Sequence, residues 1–162
     1  MVAGMKKFTG DDSTRIWDHL NEVTAWAQTE MGKLEPKAWT AYTPTWTDGT
    51  NPLAVKSGSL SGEFEKIGRH CKGQIVLQRA ADTNLGTGLY VFGLPPSAIP
   101  RVWDRVGGSG TITGNGKNLP ITVLGTGNGT IGIMGPAGRI GGSYPGNWGA
   151  EKIVINFDYE TQ

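Results

Sequence analysis

Lys152-Ile-Val-Ile-Asn-Phe-Asp-Tyr159 alternates without a break: Ile153, Ile155 and Phe157 fall on one side, Val154, Asn156 and Asp158 on the other. A period of two is that of an extended strand with one buried face. Working back from it, Leu60–Ile67, Gln74–Arg79, Gly88–Leu94, Thr111–Thr113, Leu119–Leu124 and Thr130–Met134 read as further strands, with glycine-rich turns between them. Trp39–Trp46, rich in aromatics and threonines, reads as one more strand with Pro44 at an edge or bulge. About eight strands in this pattern predict an antiparallel β-sandwich, jelly-roll-like, over residues 37–162.

Before residue 37 the period changes. Ile16, Leu20, Val23, Ala27, Met31 and Leu34 are spaced 4, 3, 4, 4 and 3 apart, and neither Gly nor Pro interrupts Ser13–Met31. This is helical periodicity, close to a heptad seam. Trp17, Thr24 and Met31 make a second row that widens the stripe. Asp11, Asp12 and Ser13 offer caps, and Glu35 before Pro36 marks the end. Residues 1–36 are thus an N-terminal arm and one amphipathic helix of about six turns. A helix so apolar on one side must bury that side, either against its own domain or in a parallel coiled coil joining several copies, for which the six seam residues are the candidate oligomerisation contacts. Three heptads with Ala27 in the seam make a weak coil that needs help from the domain behind it.

Composition narrows the function. Lys+Arg 15 against Asp+Glu 14 leaves a net charge of +1 in 162 residues, with no basic stripe, so no nucleic-acid partner is expected. One cysteine, Cys71, excludes an internal disulfide or a Cys-rich zinc site, and the next residue back, His70, would point to the opposite face of a strand. Neither a cofactor nor a metal is expected. No apolar run reaches membrane-spanning length and no signal-peptide core is evident, so a soluble chain without membrane insertion is expected.

Motif-like stretches fail on chemistry. Gly127-Asn-Gly-Thr-Ile-Gly132 matches a dinucleotide fingerprint, yet β-branched residues, glycine and Gly135-Pro136 follow where a helix would have to start. Asp82-Thr-Asn-Leu-Gly86 opens like a calcium loop, but Phe92 stands where the bidentate acid belongs, so an Asx-type turn is expected. Glu63 and Glu65 share a strand face and read as its solvated side. With no placeable pair of acids, no catalytic residue is named and the chain is read as a non-enzyme. Trp46, Trp103, Tyr144 and Trp148 lie in or beside loops; such rings either cover a core or a subunit interface or, for Trp103, Tyr144 and Trp148, stack on sugar rings.

Tyr42-Thr-Pro-Thr-Trp46-Thr, Gly58-Ser-Leu-Ser-Gly-Glu-Phe-Glu-Lys-Ile-Gly68, Gln74-Ile-Val-Leu-Gln78, Gly88–Pro95 and Ile153–Glu160 together resemble a β-domain recurrent in structural proteins of tailed bacteriophages. Such domains occur in minor tail proteins, fibres and head fibres, commonly behind an N-terminal helix that anchors or trimerises them. The resemblance spans residues 39–160 and rests on glycines and aromatics. It implies a virion protein assembled in the host cytoplasm: a homotrimeric minor tail or tail-tip fibre component, touching other virion proteins and in some cases a host surface glycan. A capsid head-fibre or decoration protein has the same architecture, and a carbohydrate-binding adhesion module is the rival from another class.

Overall fold

A computed structural model describes residues 13–34, 38–141 and 150–162. The protein is mainly β, with one N-terminal helix. It divides into two compact units, Met1–Glu35 and Pro36–Gln162.

Helix α1 runs from Ser13 to Leu34, close to the span that the periodicity predicts. The hydroxyls of Thr24 and Thr29 fold back onto the carbonyls of Leu20 and Ala25, at 2.7 and 2.9 Å, the usual way a threonine is accommodated inside a helix.

The second unit holds β1 (Thr40–Tyr42), β2 (Trp46–Thr47), β3 (Ser59–Ile67), β4 (His70–Gln78), β5 (Val91–Gly93), β6 (Gly107–Gly114), β7 (Lys117–Gly127), β8 (Thr130–Gly135), β9 (Gly138–Arg139) and β10 (Ala150–Glu160). All pairings are antiparallel and the strands form one continuous path, β1-β3-β4-β10-β6-β7-β8-β5-β2, with β9 beside β8. The mainly β, antiparallel expectation holds, and the strands lie in one curled sheet, a half-barrel.

Chain length forces the curl. Laid flat, nine strands about 4.8 Å apart would put β1 and β2 some 38 Å from each other. Only Thr43, Pro44 and Thr45 separate them, a reach of at most about 14 Å. The two ends of the path must therefore approach, and Tyr42 at one end donates its hydroxyl to the Gly93 carbonyl of β5 at 3.4 Å. The single strand expected over Trp39–Trp46 is thus two short ones on opposite ends of the path, split at Pro44, which has no N–H to give a ladder.

The same curvature accounts for much of the glycine. On β10, Ile153, Ile155, Phe157 and Tyr159 are buried, and their cross-strand partners alternate with glycine: Phe157 lies between Gly73 and Gly108, and Ile155 between Ile75 and Gly110. The Phe157 ring fills the space that a side chain on Gly73 would need. Mixing large and absent side chains lets an inner face close on itself without voids.

Turn chemistry fixes the register. Gly68 (φ 57) opens a two-residue turn between β3 and β4, while Asn115-Gly116 (φ 48 and 70) and Asn128-Gly129 (φ 50 and 79) make type I′ turns. The glycine fingerprint of the sequence is therefore the β7–β8 hairpin. A Cβ on Gly116 would meet no atom, so Gly116→Ala isolates backbone strain. It should cost about 1 kcal/mol, read as a lower urea midpoint.

Side chains hold the longer loops. The Asp48 carboxylate accepts the N–H groups of Thr50 and Asn51 at 3.2 and 2.7 Å, and those bonds keep it below the ordinary aspartate range. Asn84 Oδ1 accepts the Gly86 N–H at 3.0 Å, the Asx turn expected there, and Asp82 accepts the Ser57 hydroxyl at 2.9 Å.

Candidate functional site

Helix α1 carries a row of exposed apolar side chains. Ile16, Leu20, Val23 and Met31 are 43%, 49%, 38% and 64% exposed, and Ala27 is half-buried. Leu34 closes the helix, but its side chain lies outside the described residues. At about 100° per residue the six seam positions fall within an arc of about 80°. Trp17 and Trp26, both largely exposed, flank that arc on either side and widen it to about 180°. Arg15, Asp18, Asn21, Glu22 and Gln28 occupy the opposite side. At the margin, His19 Nδ1 approaches Glu22 Oε2 at 4.0 Å, an i,i+3 pair of small worth. The tryptophans are the part that a strict heptad reading leaves out; their positions 17 and 26 already flank the seam in the sequence.

The other sequence candidates are not gathered into one site. Trp103 is half-buried against the core at the start of a short 3-10 turn, Trp103–Arg105. Tyr144 and Trp148 lie outside the described residues. Trp46, expected in or beside a loop, is buried, stacked on Phe92 at 6.3 Å and edge-on to Tyr90 at 5.3 Å.

The outer face of β3 also departs from expectation. Glu63 is exposed, but the Glu65 side chain is only 5% exposed and is bound by Lys72 Nζ at 2.9 Å. Lys72 in turn lies 5.9 Å from the ring centroid of Trp39, which is half exposed. Cross-strand register explains it: Glu65 and Lys72 are directly opposed on β3 and β4.

Cys71 is fully buried and free, as a core residue; burial pushes its thiol up, which leaves it unreactive. Among the described residues no three of His, Cys, Asp and Glu come together as a metal-holding group, and no helix is long and apolar enough to cross a membrane.

No family model matches the sequence, and neither the curated proteins nor the solved structures yield a significant match.

Proposed function

We propose that this chain is a non-enzymatic structural protein of a tailed-phage virion, a trimeric minor tail or tail-tip fibre component, with α1 as its assembly device. The observation that carries this reading is the apolar arc of α1, whose large side chains Ile16, Trp17, Leu20, Val23, Trp26 and Met31 are exposed. A two-stranded coil buries chiefly a and d positions, whereas an arc of about 180° touches neighbours on both flanks, as each helix does among three. The phage assignment itself rests on the residue resemblance over 39–160. The jelly-roll-like, two-layered packing of such domains belongs to the same proposal, supported by the one continuous core that the curled sheet encloses.

In this reading the near-neutral charge and glycine-turned β-body suit a part that packs beside copies of itself around an axis. A capsid head-fibre would use the same device. The test is the solution mass of the full chain by light scattering: three chains support the trimer, and a single-chain mass at tens of micromolar overturns it. One observation favours sugar binding as a second reading, the half-exposed Trp39 ring beside Lys72, which also binds Glu65.

A further inference from the structure

A shallow hollow opens on the outer face of β5, β8 and β7. Leu89, Val91, Leu124 and Met134 wall it, Gly132 is its floor, and Thr126 and Arg139 stand at its rim. Register explains it: Val91, Gly132 and Leu124 lie side by side on the three strands, and the middle one has no side chain. The hollow holds about 20 Å³, little more than one water needs. It therefore takes the tip of one aliphatic side chain and no ring. Arg139 is exposed, and the ion pairs found among the described residues, His19–Glu22, Lys72–Glu65 and Arg101–Glu160, do not engage it. An apolar hollow with a lone cation at its rim fits an aliphatic tip that carries an acid beside it.

The chain itself presents such a pair. Apart from Leu89 and Leu124 of the hollow, the exposed large apolar side chains described in the β-unit are Trp39, Ile99 and Val102. An indole is too large. Ile99 has Arg101 two residues on, which would bring a second cation to Arg139. Val102 has the exposed Asp104 two residues on, their Cα atoms at most about 7 Å apart. Gly132 and Arg139 are separated by two residues along β8 and one strand across, about 8 Å. The spacing of apolar tip and acid thus matches that of hollow and cation. The turn is also braced: the Arg101 N–H meets the Glu160 carbonyl at 2.8 Å, and the Arg105 and Val106 N–H groups meet the carbonyls of Val102 and Trp103 at 3.2 and 3.1 Å. A turn held this way loses little freedom on docking.

Hollow and turn lie back to back on β7. Leu124 and Thr126 face the hollow, so Gly125 between them faces the other side. There the Trp103 carbonyl takes the space that a side chain on Gly125 would need. A closed ring of copies requires two different patches on opposite sides of one unit, so that each copy meets the next head to tail. Resting on the trimeric reading above, we propose that the turn of one copy docks on the hollow of the next, with Val102 seated over Gly132 and Asp104 paired with Arg139.

The test uses the full chain, with light scattering over a dilution series to read assembly and circular dichroism to check folding. Arg139→Glu and Asp104→Arg are each expected to raise the concentration of half-assembly roughly tenfold, by opposing like charges. The double variant, its charges exchanged, should return to within about threefold of the wild type. A wild-type chain that stays single at tens of micromolar overturns the trimer and this contact together. A trimer that neither single reversal weakens, or that the double variant fails to restore, overturns the contact alone. Should a reversal unfold the chain, the milder Arg139→Gln and Asp104→Asn decide: weaker assembly in both supports the contact, and unchanged assembly in either overturns it.

Discussion

Leu20→Glu combined with Val23→Glu is expected to reduce the assembled chain to a single-chain mass while leaving the melting of the β-unit where it was. Burying a leucine or valine is worth about 1.5–3 kcal/mol. Losing two from every helix therefore removes roughly 4 kcal/mol per chain, close to a thousandfold in association. The carboxylates add to this, because three copies would bring six like charges to one axis without partners. The single chain loses almost nothing: Leu20 is 49% exposed and Val23 38% exposed, and exposed helix positions tolerate glutamate well. Light scattering reads the mass and circular dichroism reads the melt. An unchanged mass would remove the helix from assembly. A β-unit melting several degrees lower would show that the stripe is covered by the chain's own second unit.

The same arc bears on which partner the helix prefers. A partner protein with a single groove covers one side of a helix, and the wide placement of Trp17 and Trp26 would then leave one indole in water. Neighbours on both flanks cover both. Trp26 lies across the stripe from Trp17, so the pair distinguishes a groove from a bundle even though neither belongs to the heptad seam.

How far these features could be read in advance depends on whether the deciding interaction is local. Helix α1 was legible because its period, its caps and Pro36 all lie within one short stretch. The alternation of β10 was legible for the same reason. The curl was not legible, because it depends on β1 and β2 lying at opposite ends of a nine-strand path while separated by three residues. Glu65 read as solvated because the alternation of β3 puts it on the outer face; only the register with β4 brings Lys72 opposite it. Trp46 read as an aromatic at the end of a strand beside a loop, yet the chain turns it inward onto Tyr90 and Phe92.

Phe157→Ala is expected to be the most damaging single change in the β-unit, at about 3–5 kcal/mol and toward the upper end. The cost of a core truncation depends on how well its surroundings collapse into the space left behind. Here they cannot: the cross-strand partners on both sides are Gly73 and Gly108, with no side chain to lean in, and the ladder holds their backbones apart. Position in the sheet compounds the effect. β10 lies between the β3–β4 hairpin and the β6–β7–β8 meander, so loosening it parts the two halves of the core. Against a typical domain stability of 5–15 kcal/mol such a loss is a large fraction. At this chain length it corresponds to a melting temperature lower by roughly 10 °C or more. Asp158→Ala, one residue along and exposed on the outer face, should stay within about 0.5 kcal/mol. Equal losses for the two variants in urea denaturation would mean that β10 contributes only its backbone ladder. A loss confined to Phe157 would locate the stability of the unit in the aromatic ring for which the neighbouring strands make room.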